Sequence, residues 1–188
     1  MTFTRVVVVG VTMVFCVGVP FGSRLNAADD RNDRRVNGLA DVVRNATANY
    51  RDVRAAEAAG YGSLGTCVTG PERGAMGVHF ANGALLADDM VDPRRPELLV
   101  YEPRDGRMVL VAVEFIVIAD AWNASHPDGE PPMVMGQHMQ FVGEPNRYRL
   151  PGFYELHVWA WRENRFGTFV DWNPAVSCDE FVPDHSHH

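Results

Sequence analysis

Five residues of the types that bind metals or transfer protons stand in stretches that otherwise have the composition of β-strands. They are His79, Glu114, His138, Glu155 and His157. Imidazole nitrogens and carboxylate oxygens are ligands of divalent transition metals, and a rigid sheet can hold ligands from several strands in register. No H-x-H, H-E-x-x-H or Cys-His spacing accompanies them. From residue types alone we expect a metal site formed by His79, Glu114, His138 and His157.

The stretch 153–161 is rich in aromatic and β-branched residues and predicts a strand. Alternation along a strand would place one carboxylate and one imidazole among three aromatic rings on a single face: Phe153, Glu155, His157, Trp159 and Trp161. We therefore expect Glu155, Trp159 and Trp161 to line a ligand site beside the metal. The alternative is a non-catalytic binding or interaction module, with an aromatic patch around Trp159, Trp161 and Trp172.

Glu114 interrupts a long strand pattern, 107–119, that is apolar on both faces. An unpaired buried carboxylate is expensive, so this side chain must be ion-paired, metal-bound or protonated. The ion-pair alternative would use Arg149 or Arg162. A pair of carboxylates of the glycosidase type, Glu114 with Glu155, also stays open.

The segment 133–139 combines three methionines with His138, and thioethers beside an imidazole suit copper. Methionine is also a common filler of apolar surfaces, which is the simpler interpretation of this segment. The expected cofactor is thus a divalent transition metal, copper or zinc. Three further histidines, at 185, 187 and 188, stand in a polar tail and are kept out of the site.

Several functional classes find no support. Ser63, Ser125 and Ser177 lack a G-x-S-x-G context, and no glycine-rich phosphate loop precedes a helix. The chain has 17 basic and 24 acidic side chains, a net charge of −7, and no basic stripe. We expect a metal ion or small molecule as partner, and neither nucleic acid nor a membrane surface. Enzymatic activity and oligomeric state stay open.

The N-terminus has the pattern of an export signal. Arg5 precedes an apolar run, and small residues near Ala27 offer a cleavage site. The expected organisation is a signal peptide at 1–27, a charged mobile lead-in at 28–35, one domain at 36–181 and a polar tail at 182–188. An uncleaved N-terminal anchor is the lesser alternative. We expect a periplasmic or extracellular protein.

Export changes how the cysteines are interpreted. Once Cys16 leaves with the signal, Cys67 and Cys178 remain as an even pair in an oxidising compartment. We expect one disulfide between them, with two buried free thiols as the alternative.

The remaining patterns predict an α+β domain. Apolar residues at helical spacing over 36–59 predict a long N-terminal helix that ends at Gly60. The glycine-rich segment 61–73 predicts a loop, 76–81 a short strand, and 98–119 a hairpin with Asp105-Gly106 at its tip. The helix should pack on a mainly antiparallel sheet of four or five strands.

Several segments together resemble a family of exported bacterial proteins with no established activity. They are 58–61 (AAGY), 76–80 (MGVHF), 96–103 (PELLVYEP), 113–115 (VEF), 156–161 (LHVWAW) and 172–178 (WNPAVSC). The resemblance covers about residues 36–178. It implies the extent of the domain and nothing about mechanism.

Overall fold

A six-stranded antiparallel sheet organises the chain, with strand order β1-β2-β3-β4-β8-β7, and β5 and β6 form a separate pair. The computed structural model describes residues 36, 38–70 and 72–183. The predicted signal peptide, the lead-in and residues 184–188 of the tail lie outside these ranges. The strands are β1 Tyr61–Gly70, β2 Gly74–Asn82, β3 Leu98–Arg104, β4 Arg107–Ile118, β5 Met133–Val134, β6 Gln137–His138, β7 Gln140–Val142 and β8 Phe153–Val158.

The helical segments are short. They are α1 at 38–47, a 3-10 helix Ala48–Arg51, α2 Val53–Ala58, α3 Gly83–Leu86 and α4 Ala119–Ser125. The prediction of one long helix over 36–59 is wrong because Asp52 adopts an extended conformation, and its side chain caps α2 by accepting a hydrogen bond from the Arg54 amide at 3.1 Å. The apolar spacing continues across this break, since both segments pack on the same core.

The segment predicted as a glycine-rich loop is mostly strand β1, which pairs with β2 through a tight connection at Gly70 and Gly74. β1 is an edge strand with an exposed centre, so it lacks the apolar alternation that marks buried strands. Gly74 has a φ of 87°, and a Cβ there would collide with the carbonyl oxygen of Asn173. The loop prediction was wrong because residues 61–70 form an exposed edge strand, which has no apolar alternation to mark it in the sequence.

Three of the predicted strand units are confirmed. The predicted strand 76–81 lies within β2 Gly74–Asn82. β3 and β4 form the hairpin whose turn is at Asp105 and Gly106, both with positive φ. β8 covers most of the predicted strand 153–161 but ends at Val158. Together they occupy the centre of a sheet that has six strands instead of four or five.

The two faces of the sheet bury different sets of side chains. One face, which we call the helix face, packs on α1 and α2 and holds a large apolar cluster that includes Leu39, Val43, Tyr101, Phe115 and Val158. The other face, which we call the loop face, is covered by residues from the segments 143–152 and 159–178. It carries two smaller apolar clusters, one around Val100 and Ala112 and one around Ile116 and Phe153.

One disulfide joins β1 to the C-terminal segment. Cys67 and Cys178 are 111 residues apart in sequence, with Cα atoms 5.8 Å apart. The predicted pairing is confirmed, and the free-thiol alternative is wrong. Among the described residues, no helix has the length and apolarity needed to cross a membrane.

Candidate functional site

A group of two imidazoles and one carboxylate forms the centre of the loop face. Glu114 on β4 lies directly opposite His157 on β8, so the sheet register itself brings these two side chains together. His79 comes from β2, on the far side of β3. Gly77, with a φ of 118°, allows β2 to approach β3 here, because a Cβ at that position would lie 2.5 Å from the Tyr101 carbonyl oxygen.

The three side chains offer ligand atoms that all lie within 4.8 Å of one another. Within the group, His79 Nε2 and Glu114 Oε2 lie 3.3 Å apart. Two ligands of one tetrahedral zinc ion lie about 3.4 Å apart, given metal–ligand bonds of about 2.0–2.1 Å. His79 Nε2 and Glu114 Oε2 are already at that separation. The most distant pair of ligand atoms must move closer by roughly 1.4 Å.

The group is fully enclosed. His79, Glu114 and His157 have relative exposures of 1%, 0% and 2%. Five of their polar atoms have no hydrogen-bond partner: both ring nitrogens of His79, both of His157, and Oε1 of Glu114. They are also all the buried side-chain nitrogen and oxygen atoms without a partner that occur in the described ranges. Because native proteins rarely leave such atoms unpaired, an occupant that binds all three side chains would explain the arrangement.

Two neighbours complete the surroundings of Glu114. The Tyr148 hydroxyl donates a 2.9 Å hydrogen bond to Glu114 Oε2, and its ring lies edge-on to His79 with centroids 5.5 Å apart. Glu155 is close enough that its carboxyl raises the pKa of Glu114. The ring of Trp159 lies 4.6 Å from that of His157 and closes the group on that side.

Burial controls the protonation of this group. It lowers the pKa of His79 to about 3, helped by the positive charge of Arg147. Burial, with His79 and Arg147, also lowers the pKa of His157. In contrast, burial and the neighbouring Glu155 raise the pKa of Glu114 well above its ordinary value. At neutral pH both imidazoles are therefore neutral with lone pairs available, while burial favours the protonated form of Glu114 over the carboxylate.

Arg147 lies near enough to the group for its charge to act on it. Its guanidinium contacts the Met76 sulfur and stacks on the ring of Trp172, 5.3 Å from the ring centroid. Its charge acts on His79, Glu114, His157, Tyr148 and Glu155. In the described part of the chain no carboxylate oxygen lies within 4.0 Å of an Arg147 nitrogen.

The fourth expected ligand, His138, is not part of the group. It lies on β6 in the separate two-stranded sheet, opposite Met133, and its side chain is exposed. The buried position in this segment belongs to Met139 instead, at 3% exposure. Strand alternation thus directs the imidazole of His138 to solvent, and Met133 and Met135 are exposed with it.

The three tryptophans do not share one surface. Trp159 is buried on the loop face, at 4% exposure, with its indole N–H bonded to the Val170 carbonyl. Trp161 follows the end of β8 and packs on the helix face instead, where its indole N–H donates to the Thr47 hydroxyl at 3.0 Å. The regular alternation assumed for 153–161 stops at Val158, which explains why Trp161 leaves the face of His157.

The ion-pair alternative for Glu114 is wrong within the described residues. Arg162 pairs with Glu102 at 2.6 Å, and no arginine nitrogen lies within 4.0 Å of the Glu114 carboxylate. Tyr148, the actual hydrogen-bond partner, was missed. It stands in an irregular segment, between the cis Glu144-Pro145 bond and β8, where no periodicity indicates which side chains face the sheet.

No protein-family model, curated protein or solved structure matches the chain. The resemblance to exported bacterial proteins therefore stays a prediction.

Proposed function

We propose that this is an exported protein that binds a divalent transition metal through His79, Glu114 and His157. The observation that supports the proposal is the concentration of unpaired buried polar atoms in these three residues. Two neutral imidazoles and a carboxylate are a donor set used by zinc enzymes and by non-haem iron proteins. The disulfide is compatible with an oxidising compartment, which supports export together with the N-terminal sequence pattern.

Zinc is favoured over copper by the nature of the donors. The thioethers that suggested copper, at Met133 and Met135, are exposed on a different sheet. Nitrogen and oxygen donors suit zinc or Fe(II), and thioethers suit Cu(I). Three protein ligands leave a position for a further molecule, as in catalytic zinc sites.

If the bound ion serves catalysis, it supplies Lewis-acid chemistry, and Glu155 is the available proton carrier. Glu155 is half-buried beside Glu114, and burial raises its pKa. A raised pKa brings a carboxyl closer to neutral pH, where it can both accept and donate a proton.

The test is metal analysis of the protein exported to a periplasm without an affinity tag, with His185, His187 and His188 replaced by Asn in every sample. We expect about one equivalent of zinc or iron per chain, retained through dialysis. Glu114→Gln preserves side-chain size and should remove the metal, because a neutral amide is a far weaker ligand than a carboxylate. His138→Ala is the matched control and should retain it.

Metal binding should also release a proton. Burial favours the protonated form of Glu114, and a carboxylate must be deprotonated to bind a metal, so zinc titration at pH 6 in two buffers of different ionisation enthalpy should show proton release on binding. A protein that takes up no metal after reconstitution with Zn²⁺ or Fe²⁺, or whose metal content survives Glu114→Gln, would overturn the proposal.

A further inference from the structure

A cavity of about 320 Å³ lies between β1 and the segment that precedes β8. Leu64 and Val68 line it from β1, and Arg147, Tyr148 and Arg149 line it from the opposite side. This volume is at the lower end of the range for small-molecule sites. The cavity is thus large enough for a small ligand.

The cavity reaches the metal-binding group. His79 lines it, and this imidazole is 1% exposed with neither ring nitrogen hydrogen-bonded. Tyr148 lines it as well, while its hydroxyl donates to Glu114. A molecule in the cavity would therefore lie beside both the metal ligands and the proton that Tyr148 holds.

The charge of the lining is positive. Arg147 and Arg149 both contribute, and no aspartate or glutamate lines the cavity. Over the ranges that the structure describes, neither arginine has a carboxylate within 4.0 Å. A guanidinium presents its N–H groups in a plane that matches a carboxylate or another oxyanion. Arg147 acts at longer range on the carboxyls of Glu114, Glu155 and Asp171, and Arg149 adds a second charge that is not ion-paired in the described ranges, so the pair favours an anionic ligand.

The wall formed by β1 is apolar at two points. Leu64 is 44% exposed, and Val68 is half-buried, although neither packs into one of the three apolar clusters. An inorganic ion would not bury the apolar surface of these two side chains. A ligand with a short hydrocarbon part would bury them.

We infer that the cavity binds a small organic carboxylate. Its carboxylate lies between the guanidinium groups of Arg147 and Arg149, and its short apolar part packs on Leu64 and Val68. The inference rests on the proposed function for its second element: the carboxylate binds more tightly when His79, Glu114 and His157 hold a divalent cation, because the cation adds positive charge next to the cavity.

The experiment is a ligand-observed NMR titration of the full chain with three probes, in the metal-free and zinc-loaded states. Butyrate has the carboxylate and the apolar part, butyramide has the same shape without charge, and inorganic phosphate has charge without the apolar part. We expect butyrate to bind more tightly than either of the other probes. Arg149→Gln should weaken butyrate binding roughly tenfold, as expected from loss of one charge-assisted hydrogen bond.

Arg94→Gln is the matched control, because Arg94 is exposed and does not line the cavity but contributes the same charge. It should leave butyrate binding within about twofold of the parent protein, since an exposed charge outside the cavity is screened by salt. Far-UV circular dichroism of each variant confirms that the fold is retained.

The outcomes separate the two proposals. Zinc binding without butyrate binding, or butyrate binding that Arg149→Gln leaves unchanged, overturns the carboxylate site and leaves the metal site standing. Equal binding of butyramide overturns the role of charge, and tighter binding of phosphate overturns the role of the apolar wall. Arginine-dependent butyrate binding in a protein that takes up no zinc supports the cavity and overturns the proposed metal function.

Discussion

The helix face and the loop face of the sheet are built from the same strands but in opposite ways. On the helix face, alternate residues of β4, such as Val113 and Phe115, are fully buried against α1 and α2 in one continuous apolar cluster. On the loop face, Glu114 stands between two small apolar clusters and is equally buried. One strand thus supplies both surfaces through simple alternation.

The two faces therefore contribute differently to the stability of the fold. Burial of apolar side chains on the helix face is favourable and needs no specific partner. Burial of four imidazole nitrogens and one carboxyl oxygen without hydrogen-bond partners costs free energy. Apolar burial on the helix face must offset this cost. The disulfide between β1 and the C-terminal segment adds further stability.

The largest expected effect comes from the helix face. Phe115→Ala removes a fully buried ring from the centre of that cluster and should lower the free energy of unfolding by about 3–5 kcal/mol. Urea denaturation of the metal-free protein, followed by tryptophan fluorescence, measures it. A loss below about 1 kcal/mol would mean that the helix face is not the main source of stability.

Glu114→Gln, at the residue next to Phe115, should raise the free energy of unfolding instead of lowering it. Glu114 has a raised pKa in the folded protein. Its contribution to the free energy of unfolding is therefore largest below the unfolded-state pKa of 4.5 and is lost as the pH rises toward the folded-state pKa. Glu114→Gln keeps an acceptor for Tyr148 and removes this penalty. In EDTA it should stabilise the protein by about 1–3 kcal/mol at pH 8.5 and by much less at pH 4.

Glu97→Gln provides the comparison for that pH effect. Glu97 is 2% exposed, accepts a 3.0 Å hydrogen bond from the Ile116 amide, and has a pKa raised by burial to about 8. Glu97→Gln should gain stability between pH 4.5 and 8 in the same way but retain the metal.

If Glu114→Gln destabilises the metal-free protein at pH 8.5, the Glu114 carboxylate has a stabilising partner within the protein and no cation is needed to explain its burial.

The parts of this fold that the sequence predicts are those with a local signal. The Asp105-Gly106 turn between two apolar runs specifies the β3–β4 hairpin, and the even cysteine pair specifies the disulfide. The direction of Glu114, His79 and His157 within each strand follows from alternation, whereas their meeting on one face depends on strand order and register. The direction is the part of the candidate site that can be predicted from residue patterns, because each strand fixes the direction of its own side chains.

The parts that the sequence does not predict depend on contacts between distant segments. The spacing of apolar residues over 36–59 says which side chains face the sheet but not that Asp52 breaks the helix. Strand order decides that β6 joins a separate sheet, and so removes His138 from the site. Tyr148 and Arg147 reach the group from an irregular segment, where direction is set only by the tertiary packing.

The smallest expected effect is that of His138→Ala. It tests whether position in the fold, rather than residue type, distinguishes the exposed His138 from the buried histidines of the loop face. His138 has an exposed side chain paired across a two-residue ladder with Met133, so His138→Ala should change the free energy of unfolding by less than about 0.5 kcal/mol. Its metal content should equal that of the parent protein. A loss of stability above about 1 kcal/mol, or a loss of metal, would mean that the β5–β6 pair folds back onto the group in solution and that the imidazole of His138 belongs to the loop face after all.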